Sequence, residues 1–365
     1  MISVDTSPLA DVIASIAPCQ AAYKTEAQCR LDRLTKPIGS LGRLEAIAAQ
    51  AYSIFGGQIP ESLRKAVYVF AADQGVTDEG VSAYPREVTA QMVYNFLNGG
   101  AAINVLARLH RAELTVVDVG VDAEFSAAPG LCHMKVRRGS RNMRREPAMS
   151  PEELGQALEA GLRLARSARE KKQNIVAIGE MGIGNSTPAS AITAVLSRES
   201  IGTVTGRGAG LDDVGRKRKI DVIKRSIKRH FGASDSKPEP LEVLRCLGGL
   251  EIAALTGFML GAAAERMAIV CDGFISTAAA AIAYALAPPV ADYMFAGHCS
   301  EEPGHRHLLG FIGIKPILNL GMRLGEGTGA VLAMPVIESA CHLYSEMATF
   351  SSAGISEASW KVWEK

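Results

Sequence analysis

Four short apolar runs punctuate the middle of the chain, each ending in a polar or glycine-rich tip: AVYVFAADQG (66–75), LTVVDVGV (114–121), NIVAIGEMGIG (174–184) and MAIVCDG (267–273). Runs that are apolar on both faces, separated by stretches with a 3.6-residue apolar period, are what a parallel sheet covered on both sides requires. A weaker fifth strand candidate is IGTVTGRGAG (201–210). The helical stretches between are plain, as in PREVTAQMVYNFLNGGAAINVLARLH (85–110) and SPEELGQALEAGLRLARSARE (150–170). The latter opens with Ser150 as N-cap, Pro151 at the first helical position and Glu153 three residues after the cap, a capping box. Strand alternates with helix, so the expected fold class is α/β with a doubly wound parallel sheet. In such a sheet a ligand lies outside the carboxyl ends of the strands, which gathers Asp73, Gln74, Asp118, Glu180 and Asp272 on one rim.

The two ends of the chain read differently. The first 60 residues are helical in pattern, broken at Pro37 and Gly39 before an apolar period resumes. The C-terminal stretch KPILNLGMRLGEGTGAVLAMPVIESACHLYSEMATF predicts helix, glycine break, helix, and beyond about residue 350 the chain turns polar and is expected to fray. GASDSKPEP (232–240) reads as a short charged linker. MAIVCDGFISTAAAAIAYALAPP (267–289) is the longest apolar stretch, but Asp272, Gly273 and two terminal prolines make it a strand plus a buried helix rather than a membrane span.

Composition narrows the function. Thirty-nine Lys and Arg face 38 Asp and Glu, a net charge of +1, so no global field holds a nucleic acid or an acidic membrane surface. The local basic runs RRGSRNMRRE (137–146) and GRKRKIDVIKRSIKRH (215–230) read as solvated faces within which single cations can reach a phosphate. Seven scattered cysteines without a C-x-x-C pair fit a reducing compartment, and the polar start MISVDTSPLADVI is not a secretion signal, so a cytoplasmic location is expected.

GEMGIGNSTPASAI (179–192) joins a strand to a helix, and its glycines with Asn185, Ser186 and Thr187 suit either a phosphate cradle or an ordinary capped turn. Its glycine order is neither the dinucleotide fingerprint nor a P-loop. GRGAGLDD (206–213) is a plain turn or, through Asp212 and Asp213, an acidic pair of the kind that holds Mg2+. AGHCSEEPGHRH (296–307) collects zinc-ligand residue types at a spacing that matches no standard site, so no metal is expected. DQGVTDEGVSAYPREVTAQM (73–92) is long enough for a functional loop. RLGEGTGAVLAMP (323–335) sets Glu326 among glycines before an apolar run, as a helix cap or as a carboxylate that a ligand can approach.

Six blocks in register, LTKPIGSLGRLE (34–45), ADQGVTDEGVSAYP (72–85), GEMGIGNSTPASA (179–191), LGGLEIAALTGFMLGAA (247–263), CDGFISTAAA (271–280) and RLGEGTGAVLAMP, resemble the nicotinate-nucleotide:dimethylbenzimidazole phosphoribosyltransferases. The resemblance implies a homodimer with a Rossmann-like parallel sheet over 61–320. It adds a small helical domain from 1–60 and 321–365. The implied reaction moves the 5-phosphoribosyl group of nicotinate mononucleotide to 5,6-dimethylbenzimidazole or a related aromatic base, with no cofactor. It makes Glu326 the catalytic base and places Glu180, Met181, Gly182, Ile183, Gly184, Asn185, Ser186, Lys219, Asp272, His298 and Ser300 at the nucleotide. Tyr84, Met92 and Leu324 fall at the base pocket, where the first two stand in place of Ser and Gln of some members. A nucleotide-dependent oxidoreductase and a non-catalytic binding subunit are the alternatives left by the sheet and the glycine loops.

Overall fold

The computed structural model describes residues 7–232 and 238–356. Seven parallel strands form one sheet in the order β3-β2-β1-β4-β5-β6-β7. They are β1 (Lys65–Ala72), β2 (Glu113–Gly120), β3 (Leu131–His133), β4 (Ile175–Met181), β5 (Ala268–Cys271), β6 (Met294–His298) and β7 (Pro316–Leu318). In β1 every residue after Lys65 is buried, and so is all of β5, as expected of central strands covered by helices on both faces. The order reverses between β1 and β4, so the connections leaving these strands part to opposite sides and leave a crevice at their carboxyl ends.

The four main strands and the helix Pro151–Glu170 form where the pattern predicts them. Ser150 accepts from the Glu153 N–H at 3.2 Å while Glu153 Oε2 accepts from the Ser150 N–H at 2.7 Å. Other expectations are corrected. Residues 201–210 make no strand: Ser200 caps a single helical turn, Ile201–Val204. The stretch 85–110 is two helices, Val88–Leu97 and Ala102–Leu109, parted at Gly99, whose φ of +77° a helix does not accept. KPILNLGMRL holds the short β7 instead of a helix. Phe350–Ala353 forms a helical turn, and residues 357–365, most of the stretch expected to fray, lie outside the described residues. Most of the predicted linker 232–240 lies outside the described residues.

The chain divides into two compact units, Met1–Pro18 with Leu63–Met334, and Cys19–Ser62 with Pro335–Lys365. The first 18 residues therefore group with the sheet and not with the remaining N-terminal helices, and the segment 321–334 does likewise. The second unit is helical. Within it a buried Lys36 Nζ to Glu45 Oε1 bond of 2.7 Å fixes the turn before helix Arg43–Ile54, and Arg30 Nε donates to Tyr344 O at 2.8 Å.

Candidate active site

The carboxyl ends of the strands in the larger unit surround a cavity of about 470 Å3. The connection after β1 gives it Val81, Ser82 and Tyr84; helix Val88–Leu97 adds Met92; β4 and its following turn supply Glu180 through Ser186. His298, Ser300 and Glu302 enter from the end of β6, and Arg323 to Glu326 from the segment before helix Thr328–Glu346. A second cavity of about 520 Å3 shares Gly208, Glu302 and Arg323 with the first and adds Arg207 and Arg216.

Glu326 is buried and lines this cavity. Its φ of +63° is left-handed, between Gly325 and Gly327 at +90° each, and a non-glycine residue held there costs about 1–3 kcal/mol. The glycines serve the backbone more than a ligand. A Cβ on Gly327 would meet Val67 Cγ2 at 3.0 Å, and one on Gly325 would meet Glu180 Oε1 at 2.5 Å. From below, Gly179 in β4 brings its Cα against this segment, where a Cβ would lie 2.4 Å from the Glu326 carbonyl. Glu326 does not cap the helix that follows it. Its Oε2 accepts from the Ile103 N–H at 3.2 Å, at the start of helix Ala102–Leu109. Burial raises its pKa against that amide, and the nearby Asp272 adds to the rise.

Asp272, expected at the nucleotide, follows β5, is buried and does not line the cavity. Its Oδ2 accepts from Gly327 N at 3.0 Å, and its Oδ1 from Gly329 N at 2.7 Å and Ala330 N at 3.1 Å. Burial pushes its carboxyl up to about 7 despite these amides.

Glu180 lines the cavity, with Oε2 accepting from Asn185 Nδ2. Burial, with Asp272, Glu251 and Glu326 nearby, pushes it up to about 8. The turn Gly182–Gly184–Ser186 leads directly into helix Ser186–Ser197, an N-terminus suited to an anion. Lys219 does not itself line the cavity. It is fully buried on helix Asp213–Phe231 and donates from Nζ to Ser186 Oγ at 2.8 Å, placing its ammonium behind that N-terminus; burial lowers its pKa to about 8.

Of the other rim residues, Asp73 accepts from Asp122 N at 2.7 Å, Asp118 from Val121 N at 2.9 Å, and Gln74 Nε2 donates to both oxygens of Glu251 at 2.7 Å. None of these lines the cavity; they fasten the connections around it. The acidic pair after GRGAG is likewise occupied, Asp212 as N-cap to Gly215 N and Asp213 with Arg207 at 2.5 Å. His298 lines the cavity, and burial lowers its pKa. His305 holds Ser300 in place: its Nδ1 accepts from Ser300 N at 2.9 Å, which leaves Nε2–H to donate to Thr277 Oγ1 at 2.9 Å. Tyr84 and Leu324 are exposed at the cavity mouth and Met92 is half-buried in its wall. Sequence reasoning missed Ile103, which acts through its backbone and carries no side-chain signal, and Arg323, which stands beside the predicted Leu324.

A family model described as phosphoribosyltransferase matches residues 16–355. A nicotinate-nucleotide-dimethylbenzimidazole phosphoribosyltransferase of Geobacter sulfurreducens is 51% identical over 352 residues, covering 96% of this chain and 99% of the relative. One of the same name from a Roseiflexus species is 50% identical over 353 residues, with 96% and 98% covered. The chain belongs to the nicotinate-nucleotide:dimethylbenzimidazole phosphoribosyltransferase family. Among solved structures, CobT from Thermus thermophilus superposes on this phosphoribosyltransferase with a TM-score of 0.88 at 46% identity, covering 92% of this chain and all of that one. Family membership makes the protein a transferase and sets the oxidoreductase alternative aside. Among the described residues, no helix of this phosphoribosyltransferase is long and apolar enough to cross a membrane.

Proposed function

We propose that the protein transfers the 5-phosphoribosyl group of nicotinate mononucleotide to 5,6-dimethylbenzimidazole or a related aromatic base, with Glu326 as general base. The products are nicotinate and α-ribazole 5'-phosphate, which serves as the cobalamin lower ligand. The bond from C1' to the pyridinium nitrogen breaks, and its electron pair neutralises that nitrogen, so departure needs no acid. One ring nitrogen of the incoming base forms the new C1' bond, from the face opposite the leaving group, which converts β to α. The other ring nitrogen gives its proton to Glu326. One base is enough for this chemistry.

The observation that carries the reading is the buried Glu326 carboxylate on the cavity wall, whose Oε2 accepts from the Ile103 N–H and whose pKa burial raises toward the working range of a general base. Asn185 and Ser186 offer donors for the monophosphate, with the Lys219 ammonium bonded to Ser186 Oγ behind them, and Glu180 faces the ribose. Tyr84, Met92 and Leu324 supply flat and apolar surface for the base. Cytoplasmic action is part of the proposal, supported by seven scattered cysteines without a C-x-x-C pair, and a homodimer by the family likeness.

Glu326→Gln tests it. Nicotinate release should fall about 100-fold or more in turnover while nicotinate mononucleotide still binds. Turnover near that of the unaltered protein would leave Glu326 only its structural bond to the Ile103 N–H at the start of helix Ala102–Leu109.

A further inference from the structure

Helix Thr328–Glu346 begins without an acidic residue in its first turn, so its leading N–H groups need an acceptor from elsewhere in the chain. Asp272 is that acceptor, 55 to 58 residues away in sequence, taking Gly327, Gly329 and Ala330 on its two oxygens. The segment carrying Glu326 is thereby pinned over the ends of three neighbouring strands. Gly179 of β4 abuts the Glu326 backbone, Asp272 after β5 binds the amides, and Gly297 of β6 leaves room for the Ala330 Cα, which its Cβ would meet at 2.8 Å. Glu326 has a left-handed φ in this arrangement, and a strained conformation persists only where its surroundings over-determine it.

We infer that Asp272 is a positioning residue for Glu326: by binding the amides of Gly327, Gly329 and Ala330 it holds the left-handed segment that aims the Glu326 carboxylate into the cavity, and it does not contact the nucleotide. The inference rests on the reading of Glu326 as general base. The titratable groups around the segment are Glu180 from β4, Asp272 after β5, and His298 at the end of β6, whose Nε2 lies 3.7 Å from Asp272 Oδ1; helix Ala102–Leu109 presents only the Ile103 amide, and Arg323 lies on the segment itself. Negative charge at Asp272 raises the Glu326 pKa. Its removal lets Glu326 ionise at lower pH.

Asp272→Asn keeps one acceptor oxygen and turns an amide donor toward an N–H. Turnover is expected to fall about 10- to 100-fold, the scale of a misplaced reacting group. Binding of nicotinate mononucleotide by calorimetry should stay within about threefold, and the acid limb of the kcat profile should move to lower pH. Asp272→Glu keeps the charge and displaces the oxygens, so its turnover should fall while the limb stays; its turnover decides the matter if the Asn variant is not recovered folded. A weakened nucleotide affinity with turnover preserved would overturn the inference, because Asp272 would then serve the nucleotide. So would a lower melting temperature with turnover and limb both unmoved. Glu326→Gln in the same assay separates the two readings. If Glu326→Gln retains turnover, the base reading fails and takes this inference with it; if it is inactive while Asp272→Asn is unaffected, this inference alone fails.

Discussion

Replacing Gly179 by alanine tests the seat of the segment that carries the proposed base, Glu326, without removing a polar group. The added methyl would lie 2.4 Å from the carbonyl carbon and oxygen of Glu326 and from Gly327 N. All three atoms belong to the backbone, so no side-chain rotation relieves the clash. To restore contact at van der Waals distance the segment has to retreat by about 1 Å, judged from the usual separation of non-bonded atoms. A displacement of that size costs about 100-fold in rate, or about 2.7 kcal/mol of transition-state stabilisation, on top of a folding cost of about 1–3 kcal/mol for overpacking. The assay is steady-state release of nicotinate, read beside calorimetric binding of nicotinate mononucleotide and a thermal melt. Turnover should fall about 100-fold with nucleotide affinity nearly unchanged. Gly310→Ala is the control, since Gly310 lies in helix Pro303–Ile312 with nothing within 4 Å of its Cβ position; it should leave turnover intact and gain up to about 1 kcal/mol of stability. If Gly179→Ala works within about threefold of the unaltered enzyme, the argument that β4 seats the base is wrong.

Two further outcomes follow from the surroundings of the cavity. Burial lowers the Lys219 ammonium to about 8, so it is charged below that pH and neutral above it. Nucleotide affinity should therefore weaken as pH rises through about 8, and Lys219→Met should flatten the dependence; affinity that holds steady to about pH 9.5, where an exposed lysine is still charged, would contradict this. Glu79 accepts from Asn142 Nδ2 at 2.7 Å and pairs with Arg144 and with Arg145 Nε at 3.3 Å, clamping the connection that carries Ser82 and Tyr84. Glu79→Ala should destabilise by about 1–3 kcal/mol and raise KM for the aromatic base with kcat preserved, and a KM that does not move would show that the clamp is unrelated to the base wall.

Much of this was legible in the chain, for physical reasons that also mark where legibility stops. The central strands announce themselves because both faces are buried, which leaves uninterrupted apolar runs such as VYVFAA and NIVAIG. β3 and β7, at three residues each, are too short to show any period. The mistaken strand at 201–210 came from β-branched residues around Val204, where the Ser200 cap decides the local structure instead. Glu326 and the GEMGIGNS turn could be picked out because glycine-rich sequence around a polar residue is conspicuous, and both line the cavity. Asp272 could not be placed by sequence, since its partners are backbone amides brought to it only by the sheet. The glycines flanking Glu326 read in sequence as access for a ligand to the carboxylate; they chiefly permit positive φ and close backbone contact.

The distance along the chain between Gly179 and Glu326 also gives the enzyme an order of assembly. During synthesis the strands on either side of the crevice, the GEMGIGNS turn and Lys219 are all translated before residue 326. At about 5–20 residues per second, the ribosome needs several more seconds to deliver Glu326 and the helix anchored by Asp272. The nascent chain thus carries the residues proposed to hold the phosphate before it carries the residue proposed as base. Of the residues that line the cavity, the one on which the proposed chemistry depends is the last to be made.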